Sequence, residues 1–198
     1  LMPELLGHGE LDNGLRYLVE RWVEGHPLMS SERMAEKVPF ILEGLSRVHE
    51  GYGVHTRRVS EIWTPAFPTQ WQAVRTAGLV PDQVGAQVAE LIAADKRMRV
   101  SWSHGDLVAS NVLGIDDGVV IIDWEHAGER PVMHDAAKLH QFTADKDPLL
   151  HLLLAEWGRG GATDGYTAAE ELAVLHARFL SRAPTRMAEL AGHKRRGV

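Results

Sequence analysis

The pattern of this chain predicts an α+β protein, mainly helical, with a strand pair at its start and a second β-hairpin near its middle. Three observations carry that reading. Asp12-Asn13-Gly14 is a strong hairpin turn signal between the runs 3–9 and 15–23. Ala35, Val38, Leu42, Leu45 and Val48 recur at helical spacing. Asp116-Asp117-Gly118 separates two short apolar runs, the second being Val119-Val120-Ile121-Ile122.

The elements follow in order. Pro3 to Gly9 reads as the first strand, and Leu15-Arg16-Tyr17-Leu18-Val19 begins its partner. The first helix ends at His49-Glu50-Gly51, with His49 as a helix-end residue. Gly51, Gly53, Pro65 and Pro68 among aromatics predict an irregular connection over 51–70. Val84, Val88, Leu91 and Ile92 mark a second amphipathic helix, followed by the polar Asp95-Lys96-Arg97. Val100 and Trp102 then lead into a loop from His104 to Asn111. Residues 149–157 and 167–179 read as two more helices, split by a glycine-rich stretch over 158–165 that is the best candidate for a mobile loop on the substrate side. Trp124 and Trp157 read as packing residues.

Composition excludes several classes. At 198 residues with 44% hydrophobic content, one domain, or one large lobe with a strand pair attached, can bury a sizeable core. A net charge of −6 argues against general affinity for nucleic acid, and His193-Lys194-Arg195-Arg196 reads as a solvated tail. The absence of cysteine removes disulfides and thiolate metal sites. No run approaches the length of a membrane span, and no charged-then-apolar leader opens the chain. The expectation is a cytoplasmic protein without nucleic-acid or membrane partners.

The informative residues lie between 104 and 125. His104-Gly105-Asp106 is followed by Asn111, and after the turn the second strand runs out at Asp123-Trp124-Glu125. Asp-x4-Asn followed by an apolar strand ending in Asp is the phosphoryl-transfer half of a kinase site. One carboxylate must accept a proton from a substrate hydroxyl, and Asp106 suits that role. Mg²⁺ takes hard oxygen ligands, so Asn111 and Asp123 are the natural metal pair. The bland alternative is a surface hairpin whose Asp and Asn residues make turns. Asp116-Asp117-Gly118 is too short to wrap a calcium ion and reads as a turn.

These residues, His104-Gly-Asp-Leu-x3-Asn-Val-Leu and Ile-Ile-Asp-Trp-Glu, resemble the aminoglycoside phosphotransferase and choline kinase superfamily, the small-molecule branch of the protein-kinase-like fold. Ala127-Gly128-Glu129-Arg130-Pro131 looks like that family's loop after the metal residue, and His134-Asp135-Ala136-Ala137-Lys138-Leu139 like its following helix. The resemblance implies that Asp135 braces the catalytic loop from behind, the alternative being a helix N-cap. His104 and Ser110 then read as supporting residues. Leu15 to Gly25 resembles the last small-lobe strand running into the hinge, with Glu20, Arg21, Trp22 and Val23 meeting adenine. The implied division is a small-lobe remnant and hinge over 1–24, then a kinase-like large lobe over 25–198.

The family's nucleotide lid has no counterpart here. Gly7-His8-Gly9 is too short for a phosphate loop, and no Lys precedes Lys37. A start at Leu1 instead of Met fits a piece of a longer protein; a partner protein supplying the missing lobe is the alternative. The implied activity is transfer of the ATP γ-phosphoryl group, with Mg²⁺, to a hydroxyl of a small molecule: an aminoglycoside or other antibiotic, an amino alcohol or a sugar. Ser/Thr phosphorylation of a peptide with a partner completing the site, or a non-catalytic scaffolding subunit, are the alternatives. Glu125 and Arg130, with Glu156, Asp164, Glu170 and Glu171 as an acidic pocket for a cationic acceptor, are the candidate substrate residues; otherwise those acids solvate helix faces.

Overall fold

The computed structural model describes residues 2–28, 31–143, 146–157 and 165–187. Two strands open the chain, β1 (Leu5–Glu10) and β2 (Arg16–Glu20), paired antiparallel. Gly14 takes a left-handed φ of +81° and the Leu15 amide donates to Asn13 Oδ1 at 3.1 Å, which closes the turn as the sequence predicts. The ribbon is exposed along its length. Leu5, Leu6, Leu15 and Leu18 are more than half exposed and none joins the buried core.

The rest of the chain builds the lobe. In order come β3 (His26–Pro27), α1 (Ser31–Tyr52), β4 (His55–Arg58), α2 (Val59–Ile62), α3 (Ala66–Thr76), α4 (Asp82–Ala93) and β5 (Arg97–Ser103). These are followed by β6 (Val112–Ile115), β7 (Gly118–Ile121), β8 (Gly128–Pro131), α5 (His134–Phe142), α6 (Lys146–Trp157) and α7 (Ala168–Leu180). Val38, Ile41, Leu42 and Leu45 of α1 are buried with Val112, Ile121, Ala136, Leu139, Leu153 and Leu175, so one core joins the long helix to the central hairpin and the C-terminal helices. A second core places Phe67, Trp71, Val88 and Ile92 of α3 and α4 against Val174 and Ala177 of α7. Thr167 accepts from the Glu170 amide while Glu170 returns to the Thr167 amide, a reciprocal cap that starts α7.

Two small sheets position the site. One has the order β3-β6-β7, the other β4-β5-β8, all antiparallel. The irregular connection expected over 51–70 contains β4, α2 and α3 instead. Its prolines mislead because Pro68 lies in the first turn of α3, where no helical donor is lost. The loop expected over 127–131 contains β8, whose Gly-Glu-Arg-Pro has no alternation; it is a strand because β5 offers a ladder edge, Ser101 facing Arg130. Of the glycine-rich stretch, only Gly165 is described; it bridges Arg97, and residues 158–164 lie outside the described residues. No helix among the described residues is long and apolar enough to cross a membrane.

Candidate functional site

The loop joining β5 to β6 carries Asp106 and is gripped from behind by α5. Asp135, in the first turn of that helix, is fully buried. Its carboxylate accepts from the His104 amide at 2.6 Å and from the Gly105 amide at 2.8 Å. Burial pushes its pKa up, and those two amides pull it back. It is not the helix N-cap, a position held by Met133. One residue earlier, His134 Nε2 meets the Gly105 carbonyl at 3.2 Å, and burial lowers the pKa of that ring to about 4. One turn later, Lys138 Nζ lies 2.7 Å from Asp106 Oδ1. Residues 134, 135 and 138 thus hold the three consecutive loop residues 104, 105 and 106.

His104 is fully buried. Its Nδ1 accepts from the Asp106 amide at 3.2 Å, and its Nε2 lies 2.9 Å from the Ile122 carbonyl. That geometry makes Nδ1 the acceptor and leaves Nε2 to donate to Ile122. Trp124 meets the same ring edge-on, 4.7 Å between centres, and donates its indole N–H to Ile121. Gly105 has φ +88°, and a Cβ there would overlap the His126 carbonyl oxygen and come within 2.8 Å of Arg130 Nε. Glycine is required at that close approach.

Asn111 ends a 3₁₀ turn (Ala109–Asn111) just before β6. Its Nδ2 donates to the Asp106 carbonyl at 3.1 Å, while Ser110 Oγ donates to its Oδ1 at 3.3 Å. Across the hairpin the Ile122 amide donates to the Asn111 carbonyl at 3.0 Å. β7 stops at Ile121, two residues before Asp123, which adopts a left-handed conformation with φ 66° and ψ 56° and leaves the strand line. Asn111 therefore stands across from the residue preceding Asp123. An amide oxygen and a carboxylate are hard donors of the kind that Mg²⁺ takes. No group of three or more His, Asp or Glu side chains gathers for a metal among the described residues.

The Lys138 ammonium, by its hydrogen bond first of all, holds the Asp106 carboxyl below the usual carboxylate range against a smaller opposing effect of burial.

The candidate hinge continues β2. Glu20 is its last residue, the Arg21 amide donates to Glu4 at 2.8 Å and the Arg21 side chain reaches the Glu4 carboxylate at 2.6 Å. Trp22 is 86% exposed, and Val23 is half-buried. Glu125 is exposed beside His126. Arg130 lies behind the loop, its Nη2 donating to the His126 carbonyl at 3.0 Å. Glu170 pairs with Lys96 at 3.1 Å, at the end of β5 remote from the loop that carries Asp106. Glu171 is buried near Arg99 and Met133, and burial raises its pKa to about 7; it neither solvates a face nor lines an open pocket. Asp164 and the side chain of Glu156 lie outside the described residues.

Sequence reasoning missed Lys138 and His134. A signal existed: Lys138 stands three residues after Asp135, a spacing that puts both on one helix face.

Comparison with known proteins places the geometry in a wider setting. Residues 2–178 match the family described as "Phosphotransferase enzyme family". No curated protein matches the chain. A choline/ethanolamine kinase family protein from Mesorhizobium loti superposes with a TM-score of 0.56 at 21% identity, over 91% of this chain and 62% of that one. Aminoglycoside-3'-phosphotransferase of type VIII gives 0.52 at 19% identity, over 91% and 73%. Aminoglycoside phosphotransferase APH(3'')-Id from Streptomyces rimosus gives 0.50 at 18%, over 89% and 74%. At these identities the likeness is one of fold, the protein-kinase-like fold, and the chain spans less than two thirds of the length of the first of these relatives.

Proposed function

We propose, because this chain belongs to the phosphotransferase enzyme family, that it moves the γ-phosphoryl group of ATP to a hydroxyl of a small molecule. The observation that carries this reading is the meeting of Asp106, Asn111 and the turn before Asp123 on one braced loop and hairpin. Asp106 is the base: as the acceptor oxygen bonds to phosphorus and the bond to the bridging oxygen breaks, the hydroxyl proton passes to its carboxylate and ADP leaves. Asn111 and Asp123 would hold Mg²⁺, which supplies charge neutralisation on the phosphate oxygens. His104 fixes the backbone at Asp106, and Asp135 fixes the two amides before it.

Glu20 to Val23 face the adenine ring in this reading. The open apolar ribbon supports a further set of strands, from a longer chain or a partner, lying over the nucleotide. Residues 1–24 then form the small-lobe side and hinge, and 25–198 the large lobe.

Calorimetric titration with Mg·ATP, alongside an ADP-release assay over a panel of hydroxyl compounds, tests the proposal. Metal-dependent binding is expected in the native chain and lost in Asp123→Ala. Asp106→Asn should bind nucleotide normally while transfer falls about 10²- to 10⁴-fold. Equal transfer by the Asp106→Asn protein removes Asp106 from the base role.

A further inference from the structure

The backbone of Asp106 is fixed at both its polar groups. The amide donates to His104 Nδ1 at 3.2 Å, and the carbonyl accepts from Asn111 Nδ2 at 3.1 Å. Neither bond touches the carboxylate. An aspartate side chain on a fixed backbone still has several staggered χ1 wells and a broad χ2 to choose from. Only some of those rotamers aim an oxygen at a given hydroxyl. Lys138 makes the choice here, with its Nζ 2.7 Å from Oδ1.

The ammonium is itself held. It sits 5.7 Å from the centre of the Phe179 ring in α7. His134, one turn earlier on α5, meets the same ring edge-on with 5.2 Å between centres, and His176 approaches it at 6.1 Å. A lysine between a carboxylate and an aromatic face has little freedom to swing away. The Lys138 side chain is 22% exposed and that of Asp106 37%, so the pair presents its carboxylate to solvent more than its ammonium.

We propose that Lys138 is a positioning residue for the transfer: by engaging Oδ1 it turns Oδ2 toward the acceptor hydroxyl, while Phe179 of α7 steadies the ammonium. This rests on the reading of Asp106 as the base. The hydroxyl proton passes to Oδ2 as the acceptor oxygen bonds to phosphorus and the bond to ADP breaks; Lys138 keeps its own protons throughout. Phosphoryl transfer asks the protein mostly for position and charge, so the direction of the accepting oxygen matters more than strong basicity. An ammonium acting through charge alone would only weaken the base, and its removal would speed transfer. A base left to wander between rotamers instead slows the transfer step on the order of 10- to 100-fold and leaves substrate binding alone.

The test follows ADP release with Mg·ATP and glucose, ethanolamine or kanamycin as acceptor. The native protein is compared with Lys138→Gln, Lys138→Arg, Asp106→Asn and the Lys138→Gln/Asp106→Asn double variant. Lys138→Gln should lower kcat about tenfold or more, while KM for ATP and for acceptor moves less than about threefold. Lys138→Arg, which still carries a donor to Oδ1, should recover most of that loss. With Asp106→Asn already made, Lys138→Gln should cost less than about twofold further, because residues that act as a unit are not additive. A lysine that only supports the fold costs the same factor in both backgrounds, and that result overturns the inference. A native or raised kcat in Lys138→Gln also overturns it. Should Lys138→Gln fail to fold, Phe179→Leu decides: kcat should fall about threefold at constant KM, but not in the Asp106→Asn background. Equal loss in both backgrounds again overturns the inference. Native-level transfer by Asp106→Asn removes the base itself, and no native transfer to any acceptor removes the proposed function; the inference falls with either.

Discussion

The N-terminal ribbon and the loop that carries Asp106 are both irregular or turn-and-strand structures, yet they are held in opposite ways. The ribbon is held by its own turn and ladder, with its leucines open to solvent. The loop has almost no ladder of its own. Residues 104–106 are held by three side chains of α5, and His104 and the following Leu107 are fully buried. Local propensity suffices to shape a hairpin, whereas a functional loop needs a second element to dictate its path. Damage should therefore stay local in the ribbon and spread through the lobe from the loop.

The largest effect is expected from Asp135→Ala. Two loop amides would lose their acceptor in a buried site, at a cost of about 4 kcal/mol, read as a lowered midpoint in urea unfolding. An unchanged midpoint would break the contrast, since the ribbon would then be no worse anchored than the loop.

Acid should loosen the same region next. His134 titrates near 4 when folded and near 6.5 when unfolded, so its neutral form favours the folded state. Its contribution is complete above pH 6.5 and is lost as pH falls through 4, about 2 to 3 kcal/mol in all. In a series of melts, His134→Gln should lose stability less steeply over that window. Glu171 works in the opposite direction. Its pKa is raised to about 7 from 4.5, so its contribution is complete below 4.5 and lost as pH rises through 7. Glu171→Gln should therefore gain stability relative to the native protein at pH 8.

One substitution made in both regions sharpens the comparison. Gly105 and Gly14 both have positive φ, but only Gly105 has neighbours where a Cβ would go. Gly105→Ala should cost about 2 kcal/mol or more globally, adding overlap to backbone strain. Gly14→Ala should cost about 1 kcal/mol within the hairpin and leave the melting temperature of the lobe unchanged. Hydrogen exchange at Tyr17 and Val19 would show the local fraying. The smallest effect belongs to Leu18→Lys, within about 0.5 kcal/mol, because that side chain is 68% exposed.

What the sequence made legible follows the same division. Asp12-Asn13-Gly14 announces its turn because the information is local, and the helical stripe of α1 is readable because its period is regular. The Asp106, Asn111 and Asp123 spacing is readable for the same reason, and the fold brings the Asn111 side chain to the loop that carries Asp106. β8 and β4 were not readable, since Gly-Glu-Arg-Pro and His-Thr-Arg-Arg become strands only by pairing with β5. Lys138 and Glu171 show the limit most clearly. Both are charged residues on amphipathic helices, and pattern alone leaves them in solvent. Tertiary packing turns one against Asp106 and the other into the core.

The two-residue strand β3 has a mechanical consequence. His26 and Pro27 pair with Gly114 and Leu113 of the central hairpin, and Gly25 packs against the same strand, a Cβ built there lying 3.1 Å from the Gly114 carbonyl oxygen. Only Glu24 and Gly25 separate Val23 from that clamp, a tether of about 10 Å at full stretch. A pull on the ribbon would reach that clamp through the short tether. The load would fall along β6, the strand that begins one residue after Asn111.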